Sequence, residues 1–289
     1  MTPRQRAARR QAYLLMAPAV AVLGLVAAYP VLWVVWLSLQ QRVPVFDIAR
    51  FTGLRHYLFL AGDARFHAAL KVTLIFTVVS VALETVLGTA VALALAGQRR
   101  GRRLAFALLL LAWAMPAVVT ARMFEWLYHP AGGVVNALLG GARINWLGDP
   151  GLALPAVILA DVWRTLPFVA VLAYARRLGI PDELYEAAQV DGAGRQATLF
   201  RITLPLLRPV VVVAVLFRTL DALRAFDVMF VLTGGGPAGA TETLTVYAYR
   251  ALFQMVQFGF GSALGVVVFA LVMAVAWLYV RRLRLEPGT

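Results

Sequence analysis

Six stretches of this chain, residues 13–39, 68–96, 104–128, 151–174, 209–232 and 262–280, are apolar over the ~20 residues that a helix needs to cross a bilayer. In hydrocarbon, backbone amides and carbonyls have only each other as partners, so a spanning segment is either a helix or a strand of a closed barrel. Barrel strands alternate lipid-facing and lumen-facing residues, whereas these runs are apolar throughout. The expected class is therefore all-α, a polytopic membrane protein with six transmembrane helices. With 62% hydrophobic and 14% charged residues, the 289-residue chain has more apolar surface than a soluble core of that size could hide.

Two runs need comment. The fifth is the least apolar, because Arg218, Asp221, Arg224 and Asp227 interrupt it. The first follows Arg4, Arg6, Arg9 and Arg10 in the manner of a signal peptide, but it far exceeds the about 7–15 apolar residues of such a segment and lacks a clear small-residue cleavage site. It is expected to be a retained helix.

Arginine placement sets the orientation, since short cytoplasmic loops collect Lys and Arg. Arginines 4, 6, 9 and 10 precede the first run, and 99, 100, 102 and 103 lie between the second and third. Arginines 176, 177, 195, 201 and 208 lie between the fourth and fifth, and 281, 282 and 284 follow the sixth. The other side has Arg42, Arg50, Arg55, Arg65, Arg143 and Arg250. Both termini and the loop 176–207 are thus expected in the cytoplasm, with residues 1–12 a basic tail and 13–283 one transmembrane domain. This bias explains the net charge of +13, so nucleic acid is not needed as a partner.

No catalytic constellation is visible. The chain has no cysteine, and His56, His67 and His129 are too scattered to build a metal site. No G-x-x-x-x-G-K-[ST] loop occurs, so nucleotide hydrolysis cannot be assigned to this chain. Gly192-Ala193-Gly194-Arg195-Gln196-Ala197 matches a dinucleotide pattern, but helix-forming residues 183–190 precede it where that pattern requires a strand. A turn between two cytoplasmic helices is expected instead.

Depth points to a pathway. At about 1.5 Å per residue, ten residues reach the middle of a core about 30 Å thick. Trp113, Asp161 and Arg218 lie nine or ten residues into the third, fourth and fifth runs. Asp161, Arg164, Thr165 and Phe168 share one helical face, and Arg218, Asp221, Ala222 and Ala225 share another. Ionisable groups at that depth are costly unless they face a cavity or a partner. Two readings stay open: these residues line a solute path, or Asp161, Arg164, Arg218 and Asp221 pair with one another or with another subunit. Arg122 and Glu125 should pair one turn apart, whereas Lys71 and Glu84 are too far apart along one helix to do so. Gly261-x-x-x-Gly265 suits helix packing, and Pro116, Pro155 and Pro167 are candidate kinks.

The loop 176–207 contains Glu186-Ala187-Ala188-Gln189-Val190-Asp191-Gly192 and, nine residues on, Ile202-Thr203-Leu204-Pro205. Pro181, Asp182 and Glu183 can start a helix there and Gly192 can end it. Leu184, Tyr185, Ala187, Ala188 and Val190 would give that helix an apolar knob for a partner groove. This segment resembles the EAA loop of permease subunits in bacterial ABC importers. Leu232-Thr233-Gly234-Gly235-Gly236-Pro237, Thr241-Glu242-Thr243-Leu244 and residues 217–227 look like the first permease subunit of the carbohydrate-uptake, maltose- and trehalose-type branch. The chain departs from the enteric maltose subunit in having six expected spans and no large periplasmic insertion.

The resemblance implies a bacterial inner-membrane protein with an importer core at about 68–280 and a coupling helix that docks on a separate ATPase. Glu186, Ala187, Ala188, Asp191 and Gly192 would serve that coupling. ATP and Mg would act on the partner ATPases, with no cofactor in this chain. A second homologous permease, two ATPase subunits and an extracytoplasmic sugar-binding protein would complete the system. Trp113, Asp161, Arg164, Thr165, Phe168, Arg218, Asp221, Ala222 and Ala225 would meet a di- or oligosaccharide. The nearest alternative is an importer of glycerol phosphate, with Arg164 and Arg218 meeting the anion; an intramembrane enzyme or a non-transporting scaffold lies further off.

Overall fold

A computed structural model describes residues 3–98 and 100–284, with side chains described for 13–98 and 100–282. Arg99, and the side chains of Arg4, Arg6, Arg9, Arg10 and Arg284 used in the orientation argument, lie outside the described residues. In chain order the helices are α1 Pro3–Leu23, α2 Tyr29–Ser38, α3 Arg55–Gly62, α4 Ala64–Gly97, α5 Arg102–Ala114, α6 Ala117–Leu127 and α7 Val134–Leu138. There follow α8 Pro150–Leu178, α9 Glu183–Val190, α10 Arg195–Thr198, α11 Leu204–Ala222, α12 Asp227–Thr233, α13 Leu244–Tyr249 and α14 Phe258–Arg284. Strands β1 Gln40–Val43 and β2 Ile48–Phe51 form an antiparallel hairpin that hydropathy did not anticipate.

The chain divides into two compact units. The first comprises residues up to Asp63 with Ala248–Val267. Its first span, Tyr13–Ser38, runs through a π turn at Gly24–Ala28, and none of its apolar stretch is buried within the chain. The hairpin follows at once, closed by Thr52 and Gly53 amides donating to the Leu39 carbonyl. Gly261 packs so closely on Leu252 that a methyl group there would collide with it, whereas a methyl group at Gly265 would make only ordinary contact with Val34.

The second unit comprises Ala64–Tyr247 and residues from Val268. Here α8 is central, with α4, α5, α6, α11 and α12 packed around it. At Gly88 on α4, a Cβ would lie 2.9 Å from the Val169 Cβ, so glycine sets the closeness of α4 and α8. Arg65, at the start of α4, holds Glu242 through two 2.8 Å bonds and stacks over the Tyr247 ring. This clasp, with the Leu244 amide donating to Thr73 Oγ1, pins the buried Thr241–Thr243 segment to α4.

Among the described residues five helical spans are long and apolar enough to cross a membrane, or six with a bent pair taken as one span. The third run is not one straight helix: α5 and α6 meet at 102°. Pro116 has no N–H to offer, and Met115 before it takes extended backbone (φ −70°, ψ 132°), the conformation favoured ahead of proline. Pro155 and Pro167 do not break α8, because neighbouring helices enclose it. The fifth run also needs correction. The span is Arg195–Ala222, continuous through a π turn at Leu199–Thr203, and the chain breaks at 223–226 before α12. The last helix starts at Phe258, four residues before the expected position.

Candidate functional site

Beside the two helix breaks of the second unit, α4, α8 and α11 bring their charged residues together. Arg218 on α11 donates from Nε to Glu84 Oε2 at 2.6 Å and from Nη2 to Glu84 Oε1 at 3.0 Å. The same Nη2 reaches Asp161 Oδ2 on α8 at 3.2 Å, and Nη1 reaches Asp221 Oδ2 at 3.2 Å. Arg164 Nη2 donates to Asp161 Oδ1 at 3.1 Å, and Arg224 Nη2 to Asp221 Oδ1 at 2.7 Å. The Thr165 hydroxyl sits 2.8 Å from Glu84 Oε1 and 2.7 Å from the Asp161 carbonyl, with one proton to donate between them.

Three arginines therefore face three carboxylates. Glu84 is 0%, Asp161 2% and Arg218 5% exposed, so the inner members have left water almost completely. Bidentate geometry and several shared hydrogen bonds offset that desolvation, which an unpaired buried charge could not do. Pairing does not consume every donor: Arg164 Nε is buried and has no hydrogen-bond partner among the described residues.

Two recesses adjoin this cluster. One, of about 260 Å³, lies at the helix breaks and includes Ala117, Asp161, Ala222, Ala225 and Phe226 in its wall. The other, of about 380 Å³, has Trp113, Thr165, Phe168 and Phe217 in its wall. Arg164, Arg218, Asp221 and Arg224 line both. Trp113 and Phe168 have ring centroids 6.1 Å apart, and Phe168 and Phe217 meet edge to face at 6.5 Å. A larger recess of about 800 Å³ between α4 and α11 has Arg208 as its only charged lining residue, so it lacks the convergent polar groups of a recognition site.

All nine residues anticipated for the solute path, Trp113, Asp161, Arg164, Thr165, Phe168, Arg218, Asp221, Ala222 and Ala225, line one or both recesses. The charges pair with one another, and Asp161, Arg164, Arg218 and Asp221 also line recesses. Three residues not anticipated from the sequence complete the arrangement: Arg224 and Phe217 in the recess walls, and Glu84 in the ion-pair cluster but in neither wall. Glu84 is the one acid in an otherwise apolar stretch of α4, and that isolation, with Lys71 too far along the helix to answer it, is the signal that marks it. Arg122 and Glu125 do pair, at 2.6 Å on an exposed face.

The loop segment forms α9 with little change from expectation. Glu183 is its first residue, and Gly192 takes φ +76°, which lets the Ala193 amide close on the Ala188 carbonyl at 2.8 Å. Residues 192–197 are a turn into α10, with no strand before them. Leu184, Glu186, Ala187, Val190, Asp191 and Gly192 are exposed, whereas Ala188 is buried against its own chain. Tyr185 also turns inward: Arg177 lies 4.2 Å over its ring and its hydroxyl is 3.3 Å from Thr203 Oγ1. Arg176 Nε donates to the Leu206 carbonyl at 3.1 Å, joining the end of α8 to the start of α11.

Residues 84–284 match the family described as binding-protein-dependent transport system inner membrane component. The chain is 40% identical over 272 residues to the trehalose/maltose transport system permease protein MalF of Thermococcus litoralis, covering 93% of this chain and 92% of that one. It is 39% identical over 285 residues to the sulfoquinovosyl glycerol transport system permease protein SmoG of Agrobacterium fabrum, covering 96% and 91%. The trehalose transport system permease protein SugA of Mycobacterium tuberculosis is 36% identical over 281 residues, with 97% and 91% covered. Among solved structures, a chain of a bacterial ABC transporter involved in the import of the acidic polysaccharide alginate aligns with a TM-score of 0.83. That match covers 99% of this chain and 100% of the other at 23% identity, a likeness of fold.

Proposed function

We propose a function from one premise: the chain belongs to the family of inner membrane components of binding-protein-dependent transport systems. It forms half of the translocation pathway of an ATP-driven importer for a di- or oligosaccharide such as trehalose or maltose. Residues 13–283 act as a single permease domain in a bacterial inner membrane, with both termini and the loop 176–207 on the cytoplasmic side. A second homologous permease supplies the other half, and an extracytoplasmic binding protein delivers the sugar. Two ATPase subunits bind and hydrolyse ATP with Mg, chemistry for which this chain has no phosphate loop.

The observation that carries the proposal is the charge-balanced cluster with aromatic walls on one side. A saccharide needs donors and acceptors for its hydroxyls and a flat apolar surface for its ring face. Arg164 and Arg224 bring guanidinium groups to both recess walls, Asp161 and Asp221 supply acceptors, and Trp113 and Phe168 supply the apolar surface. Thr165 orients Glu84, while Ala222 and Ala225 keep the first recess open by being small. The trehalose/maltose and trehalose relatives support this choice of solute.

Coupling runs through α9. Glu186, Ala187, Asp191 and Gly192 present a surface to the ATPase, and Ala188, buried on the opposite side, seats the helix on its own chain. Because α9 is tied by Tyr185 to both Arg177 at the end of α8 and Thr203 before α11, its displacement reaches the two helices that carry Asp161 and Arg218. ATP-driven movement of the ATPases would thereby switch the recesses between outward and inward access.

The test is uptake of labelled trehalose or maltose by proteoliposomes containing the permease pair and ATPases. Accumulation that requires ATP and the binding protein is expected; its absence for every saccharide tried would overturn the proposal. An anionic solute such as glycerol phosphate is the second reading, favoured by the sulfoquinovosyl glycerol relative. Against it, the Arg218 guanidinium already faces three carboxylates. Competition by glycerol phosphate, with none by neutral disaccharide, would select that reading instead.

A further inference from the structure

The first compact unit has a recess that the pathway and the coupling helix do not use. About 230 Å³ in volume, it opens between the β1–β2 hairpin, α3 and the chain entering α14. Gln41, Arg55, His56 and Gln257 bring polar groups to it, and Phe59 and Phe260, edge to face at 5.6 Å, form an apolar wall. The place is built rather than incidental. A methyl group at Gly259 would collide with the Gln40 carbonyl oxygen, so glycine allows α14 to begin hard against the hairpin. His56 Nε2 lies 3.0 Å from that same oxygen and donates to it, and the His56 ring faces Phe260 at 6.0 Å.

The lining contains no carboxylate. Arg55 is exposed and enters no ion pair among the described residues. Arg42 and Arg50, both exposed on the hairpin, add to the positive field, and the hairpin turn presents exposed Val45 and Phe46. Asp47, exposed at the hairpin turn, is the acid on that hairpin, but it is not part of the lining. A guanidinium and two amides in a lining without a carboxylate make a receptor for an acceptor anion. The volume is below the about 300–1,000 Å³ of sites that enclose a whole small molecule, and suits one side chain.

We propose that this recess is a docking point for the extracytoplasmic binding protein and receives a carboxylate side chain from that protein's surface. The proposal rests on the importer reading, whose topology puts the hairpin, α3 and the start of α14 outside the membrane. A partner must approach there, and exposed aromatic side chains beside arginine are the groups that interfaces favour.

The experiment uses the complete importer in phosphatidylcholine nanodiscs, with ATPase rate measured against binding-protein concentration. Arg55→Glu is expected to raise the half-saturating concentration by about tenfold or more while the rate at saturation is kept, because charge at an interface acts on encounter and register. Gln257→Ala should give a smaller rise. Added salt should weaken the wild type and leave Arg55→Glu little changed. A binding-protein Asp→Arg or Glu→Arg variant that restores Arg55→Glu would identify the carboxylate. Equal half-saturation in wild type and Arg55→Glu would overturn the proposal and leave the importer reading standing. A shift seen only with phosphatidylglycerol present would overturn it in favour of a lipid headgroup. Failure of any binding protein to stimulate the wild type would remove the importer reading and the proposal together.

Discussion

The Glu84, Asp161 and Arg218 cluster and helix α9 are both polar interruptions in an apolar chain, yet they end in opposite states. In the cluster every charged side chain has found a partner within the chain, and its inner members are at most 5% exposed. In α9, Glu186, Ala187 and Asp191 point outward and Val190 is 88% exposed, while two residues of that helix, Tyr185 and Ala188, hold it to its own chain. Depth makes the difference. Charges enclosed between α4, α8 and α11 must be answered where they lie, whereas a loop can leave its contacts to another protein.

The sharpest way to break this contrast is Arg218→Met, which leaves Glu84 and Asp161 buried without their cation. A loss of about 3–5 kcal/mol is expected, seen as a lower melting temperature and reduced yield in detergent; an unchanged melt would show that the cluster is not held as described. Thr165→Val comes next. It removes the hydroxyl between Glu84 and the Asp161 carbonyl, at a cost of about 1–3 kcal/mol for the unsatisfied acceptor, and the same melting assay checks it.

Effects in α9 and its glycine turn should separate stability from transport. Gly192→Val places a β-branched residue at φ +76° and should cost about 1–2 kcal/mol through that conformation. Sugar uptake should be abolished while membrane insertion persists; normal uptake would count against coupling through this turn. The smallest effect on stability is expected for Glu186→Ala, within about 0.5 kcal/mol because the side chain is exposed. Proteoliposome uptake should nonetheless fall at least about tenfold, the equivalent of ~1.4 kcal/mol of lost partner contact. If Glu186→Ala melts as early as Arg218→Met, the contrast between the two regions collapses.

Legibility in the sequence followed the same division. Tyr13–Ser38, Ala64–Gly97 and Pro150–Leu178 were recognisable from hydropathy alone, because transfer into lipid adds up residue by residue. The break at 223–226 was not, since summed hydropathy does not register where the backbone bends; at Met115–Pro116 the proline marked a candidate kink, on the same footing as Pro155 and Pro167. Nor does proline alone decide a bend: Pro116 opens a 102° corner, while Pro167 lies inside continuous α8 with α4 and α11 packed around it. Glu84 went unrecognised because its partner Arg218 is 134 residues away. For α9 the positions of start, end and turn were readable, but the inward face of Tyr185 and Ala188 depended on where Arg177 and Thr203 came to lie.

By itself the sequence determined a helical membrane chain, the charge asymmetry of its loops and a short loop helix ended by a glycine turn. These rest on local quantities: the hydrophobicity of a window, the count of arginines in a loop and the φ freedom of one residue. Tertiary structure alone decided which carboxylate answers Arg218, that two spans break beside one cluster, and which side of α9 remains for a partner. Those outcomes turn on distances of about 3 Å between helices far apart in the chain, and ion pairs form or fail over such distances.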